Sequence, residues 1–121
     1  MMSMRTTKMT RQQKYNFRMS DKWKKFRLKC KKVANYFDFI TKQPLTSTWN
    51  LHHLDMRDKH YTDISDTKRF LPLNKDTHNF IHWLYKLYYK DKSVLQRIQI
   101  VLEKMDQYTH DEVTHYNEDC K

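Results

Sequence analysis

Not one glycine occurs in the 121 residues of this chain, where an average composition of about 7% would supply roughly eight. That absence limits what can be built, because the common phosphate cradles depend on glycine for their tight turns and close backbone approach. No Walker A loop, no G-x-G-x-x-G turn and no nucleophile elbow can be written with these residues. Nucleotide-dependent enzymes that rely on such loops are excluded.

The charge balance points elsewhere. The formal net charge is +10, and it is uneven. Residues 1–32 hold twelve Lys and Arg against the single acid Asp21, whereas residues 106–121 carry Asp106, Asp111, Glu112, Glu118 and Asp119 against Lys121. A basic field of this kind favours polyanions through counterion release, so nucleic acid is the expected partner. No apolar run approaches the ~18–20 residues of a membrane span. The first eight residues lack the apolar stretch of a secretory signal. The expectation is a soluble cytoplasmic protein with no membrane partner. The scarcity of glycine beside abundant Lys, Asn, Ile, Tyr and Met fits an AT-rich coding genome, and the host cytoplasm if that genome is viral. Cys30 and Cys120 form no C-x-x-C pair and are expected as free thiols.

Periodicity divides the chain into an α+β pattern. Residues 1–19 show no sustained repeat and are expected as a flexible basic arm. Ser20 or Asp21 can cap a helix over about 21–36, in which Trp23, Phe26, Cys30, Val33 and Phe37 form one apolar stripe. Its other face is almost all Lys and Arg. The segment Thr46–Leu54 has strand character, and 55–67 reads as a polar loop. Phe70–Leu73 suits a second, short or edge strand because Pro72 lacks a ladder donor. Asn74 can cap a helix beginning at Lys75, with Asp76 complementing its dipole. Asp91 or Ser93 can cap a further helix with the stripe Val94, Leu95, Ile98, Val101, Leu102 and Met105. Residues 109–121 are expected as an acidic polar tail.

Four of the seven histidines fall at informative places. His52 and His53 are neighbours near the end of the first strand, so their side chains point to opposite faces and can do two different jobs. His78 and His82 are four apart on a helix, so they share a face and can grip one object. Neutral imidazole is a common transition-metal ligand. His60, His110 and His115 lie in the loop or the tail and are expected to carry no site role. Asp55 and Asp58 are expected as loop acids, with orientation of a histidine through its second nitrogen as the functional alternative.

The order of these elements resembles the HNH nucleases, whose fold is the ββα-metal type. Arg69–His82 (RFLPLNKDTHNFIH) is similar to the second half of many phage HNH proteins, where a strand of the type NLIPLC leads to a helix of the type RKCHNEIH. His52-His53 falls on the family's leading His-His or Asp-His pair, and His78 and His82 on the two helix histidines. The similarity spans 49–83, weakens over 21–48 and ends there. It implies a ββα-metal core within an HNH-like domain over 20–108, with a basic N-terminal helix and an additional C-terminal helix. It implies that His52, His78 and His82 ligate one divalent cation (Mg²⁺, Mn²⁺, Zn²⁺ or Ni²⁺) and that His53 is the general base. The implied activity is hydrolysis of nucleic-acid phosphodiesters, DNA by analogy, leaving 5′-phosphate and 3′-hydroxyl ends. Lys22, Lys24, Lys25, Arg27 and Lys29 of the first helix, with Lys68 and Arg69, are then the expected backbone contacts.

The chain departs from the pattern in two places. Many relatives bind a structural zinc with two C-x-x-C pairs. Here Asn74 and Thr77 stand where the second pair would be, and residues 37–42 contain no cysteine. The family's central asparagine falls on Arg69. These departures motivate an alternative: a catalytically degenerate HNH-fold accessory protein of a virus or phage that binds nucleic acid without cutting it. A third reading is a structural metal-binding domain that engages an acidic protein partner.

Overall fold

The computed structural model describes residues 8–109, an α+β protein with four α-helices and one two-stranded antiparallel sheet among the described residues. The elements are α1 (Arg11–Arg18), α2 (Asp21–Val33), β1 (Asn50–His53), β2 (Phe70–Leu73), α3 (Lys75–Lys90) and α4 (Val94–Thr109). They fall into two compact units, one up to Phe80 and one from Ile81 onward, with the boundary inside α3. The expected tail over 109–121 lies, beyond Thr109, outside the described residues.

The first helix corrects an expectation. Residues 11–18 do not form part of a flexible arm; they fold because Thr10 and Gln13 make a reciprocal capping box. Phe17 then packs on Trp23 and Tyr61, at ring separations of 5.3 and 5.8 Å. A single anchoring aromatic leaves no periodic stripe, which is why the repeat was invisible. Replacing Thr10 by Ala is expected to destabilise α1 by about 1 kcal/mol. Roughly fivefold faster hydrogen exchange across Arg11–Arg18 is the corresponding readout.

The helix expected over 21–36 starts at Asp21 behind its Ser20 cap and ends at Val33. Asn35 and Tyr36 adopt φ of 55° and 67°, so the chain leaves the helix through left-handed backbone without a glycine. Of the expected stripe, Trp23, Phe26 and Cys30 are buried, while Val33 and Phe37 are exposed because they lie at and beyond the helix end. Cys30 is a free thiol, as expected, and burial pushes it up to about 11.

The sheet follows from alternation. β1 is confined to Asn50–His53, shorter than the expected Thr46–Leu54, and pairs with Phe70–Leu73 in the register Leu51↔Pro72 and His53↔Phe70. Leu51, His53 and Phe70 therefore share one face, which meets α2 in a core of Trp23, Phe26, Cys30, Trp49, Leu51 and Phe70. His52 and Leu73 project from the other face; both are buried, Leu73 at 1% exposure. The polar stretch 55–67 holds one 3₁₀ turn at Asp58–His60 and begins another at Thr67–Arg69.

Between α2 and β1 the chain makes a tight loop closed by a bridge between Phe37 and Pro44. Asp38 is fully buried in it. Its Oδ1 accepts from the Ile40 and Thr41 amides and its Oδ2 from the Asn74 amide, each at 2.8 Å. Asn74 stands at the start of α3 as expected, its carbonyl accepting from the His78 amide at 2.9 Å, and the preceding loop is held by its side chain. That side chain accepts from the Thr46 amide at 2.8 Å and donates to the Pro44 carbonyl at 3.1 Å. The carboxylate of Asp38 thus ties the start of α3 to a loop far away in sequence.

Candidate metal centre

His52 reaches the α3 side of the sheet because its pleat position requires it. The rings of His52 and His78 meet edge to face with centroids 5.2 Å apart. His82 follows one helical turn later, on the same face. One imidazole nitrogen from each of His52, His78 and His82 lies within 4.8 Å of the other two. His52 is buried, and His78 and His82 are half-buried.

This trio suits a cation by its donor chemistry. An ion about 2.1 Å from each nitrogen in tetrahedral array needs those nitrogens about 3.4 Å apart, a separation that lies within the 4.8 Å span of the cluster. Three imidazoles are borderline donors that fit Zn²⁺ or Ni²⁺ by softness. Two of the three come from one helix turn, whose start is fixed by Asp38. Thr77, adjacent to His78, also hydrogen-bonds the Asp38 carboxylate through its side chain.

His53 does not join them. It points to the opposite face of β1, where its ring stacks on Tyr61 at 4.7 Å and 13° and on Trp23 at 5.7 Å and 12°, with Phe70 edge-on at 4.9 Å. Its Nε2 lies 3.1 Å from the Tyr61 carbonyl. A carbonyl only accepts, so Nε2 carries the proton and Nδ1 is left as the basic nitrogen. Burial lowers the His53 pKa, the Tyr61 hydrogen bond opposes that, Lys14 lowers it further and Asp55 raises it; the net direction is down. Three of the four imidazoles therefore converge, and the fourth stands on the other face of the strand.

No protein-family model, curated protein or solved structure matches the chain.

The expected backbone contacts divide into two groups. Lys22, Lys24, Lys25, Lys29 and Lys68 are exposed. Arg27 is not a free cation: its guanidinium lies 3.7 Å from the centre of the Trp49 ring and donates to the Trp49 carbonyl at 2.6 Å, and burial lowers its pKa. It braces the core edge. Arg69 pairs with Asp63 at 2.6 Å. The histidine that Asp55 orients is His60. Asp55 binds Arg57 and the Nδ1 of His60, which hold its carboxyl far below the usual range. Asp58 accepts from the Met9 amide at 2.9 Å and pairs with Lys14 at 2.9 Å, so it anchors α1.

Asp38, Tyr61 and Lys14 had no signal in the sequence. Tyr61 supplies one face of the His53 sandwich and the carbonyl that fixes its tautomer. Lys14 stands 5.1 Å over the Tyr61 ring, and Arg18 donates to the Tyr61 hydroxyl at 2.9 Å. The spacing of α1 from a loop more than forty residues later is a tertiary fact that no local pattern contains.

Proposed function

We propose that the protein is a metal-dependent endonuclease of the HNH type, acting on nucleic acid and by analogy on DNA. The observation that carries this reading is the three-imidazole cluster of His52, His78 and His82, built from a strand and the helix that follows the hairpin, in a strongly basic chain. A cation held by these residues would supply charge neutralisation at a non-bridging phosphate oxygen and at the leaving oxygen. His53, neutral near pH 7 and held through Nε2 by the Tyr61 carbonyl, would accept the proton of the attacking water at Nδ1. The exposed lysines of α2 would hold the phosphodiester backbone without reading bases.

Two observations favour a second reading, a nucleic-acid-binding protein without catalysis. Arg69 occupies the position of the family's central asparagine and is committed to Asp63, and His53 lies on the opposite strand face from the trio.

A cleavage assay separates the two. Supercoiled DNA and structured RNA are incubated with the protein in Mg²⁺, Mn²⁺, Ni²⁺ or Zn²⁺, with and without EDTA. The nuclease reading expects nicking or linearisation in at least one metal, abolished by EDTA. Salt-sensitive binding with no cleavage in any metal would establish the second reading. Neither binding nor cleavage at low salt would leave the third, a metal-binding protein-interaction domain. No helix among the described residues is long and apolar enough to cross a membrane.

A further inference from the structure

The unit from Ile81 onward has a composition and a surface unlike the rest. Residues 81–121 carry six Lys and Arg against seven Asp and Glu, while residues 1–80 hold eighteen against seven. The +10 of the chain therefore resides wholly outside this unit, which has no electrostatic reason to meet a polyanion.

Its apolar residues are periodic but not covered. Neither α3 nor α4 contains a buried residue. On α4, Leu95, Val101, Leu102, Met105 and Tyr108 lie along one stripe and are 46%, 55%, 57%, 49% and 84% exposed. Leu95 also lines an open apolar groove with Ile81, Leu84, Tyr85 and Tyr88. A helix of 16 residues is marginal in water unless an apolar face is packed, so this stripe calls for a cover. Residues 110–121 are mostly polar or charged and supply little apolar surface.

We propose that the cover is a second copy of this chain, with α4 packed antiparallel on its symmetry mate about a two-fold axis. Two features fit that occupant. The stripe is uncharged, so identical faces meet without repulsion. The exposed part of the five α4 side chains and Tyr85, at roughly 200 Å² per side chain, comes to on the order of 700 Å². That is close to the ~800 Å² a standard interface takes from each partner. An antiparallel arrangement about a two-fold axis sets the same patch of each copy against the other, as an isologous contact requires.

The test is the solution mass of the full chain by light scattering at tens of micromolar, in high salt after nuclease treatment so that carried nucleic acid cannot bridge two copies. The expected result is twice the chain mass for the wild type. The variant Leu102→Glu/Met105→Glu is expected at one chain mass, with its helical circular dichroism retained. A wild-type protein at one chain mass throughout overturns the proposal, whatever other protein this face binds. A double variant that remains a dimer overturns it too. If the double variant loses helicity, Leu102→Ala decides: the dimer Kd should rise about tenfold or more, and an unchanged Kd rejects the interface. None of these readouts depends on whether the protein cuts nucleic acid.

Discussion

Replacing His53 by alanine is expected to slow metal-dependent cleavage by about 10²–10⁴-fold, the usual worth of a positioned general base, while metal affinity stays at the wild-type level. The second half of the expectation comes from geometry. His53 leaves β1 on the face opposite His52, so its loss removes no nitrogen from the His52, His78 and His82 cluster. A ligand variant such as His78→Ala should behave differently, losing affinity by at least about 100-fold, since even outer-sphere partners of metal ligands cost 10–100-fold. Isothermal titration with Zn²⁺ or Ni²⁺ beside plasmid cleavage separates the two classes. One complication is structural. The His53 ring is packed between Trp23 and Tyr61, so alanine leaves a gap in an aromatic stack. His53→Phe keeps a flat ring there and removes both nitrogens. It should retain the melting behaviour of the wild type and still fail to cleave. Undiminished cleavage by either folded variant would reject His53 as the base.

The sequence was most informative where one local rule sufficed. Phe70–Leu73 and the start of α3 at Lys75 follow from an apolar run and the helical repeat behind it, and they fold as expected. The histidine trio was legible because period two sends His52 to one face and period 3.6 aligns His78 with His82. The same rule, carried one residue further, sets His53 on the other face, where the structure has it. Missed features rest on long-range contacts. Arg27 and Arg69 count as basic residues in any composition, yet one lies on Trp49 and the other is paired with Asp63. Asn74 begins α3 as its chemistry suggests, yet its side chain also holds the 44–46 loop, a contact that no local pattern contains.

Asp38 is the clearest of these long-range features, and its replacement by alanine is expected to destabilise the fold by roughly 3–5 kcal/mol. Removing one partner from a buried charged network costs that much because the other partners remain buried. Here the abandoned groups are the amides of Ile40, Thr41 and Asn74 and the Thr77 side chain, at a site with no exposed surface. Urea melts at pH 7 measure the cost. The pH dependence gives an independent check. Burial raises the Asp38 pKa, but hydrogen bonds from Thr41, Asn74, Thr77 and Ile40 together outweigh it, so the folded-state value is lowered. A lowered carboxyl stabilises the fold fully above its unfolded value of about 3.9, and that contribution disappears as pH falls through the folded value. Other acids with lowered values, among them Asp58 and Asp63, add to acid lability. The informative quantity is therefore the difference between wild type and Asp38→Asn, which should be large at pH 7 and shrink toward pH 3. A difference that is flat across this range would mean that the charge of Asp38 is not what secures the loop. Because the same carboxylate holds the first turn of α3, Asp38→Asn should also weaken metal binding at His78 and His82 under conditions where the protein stays folded.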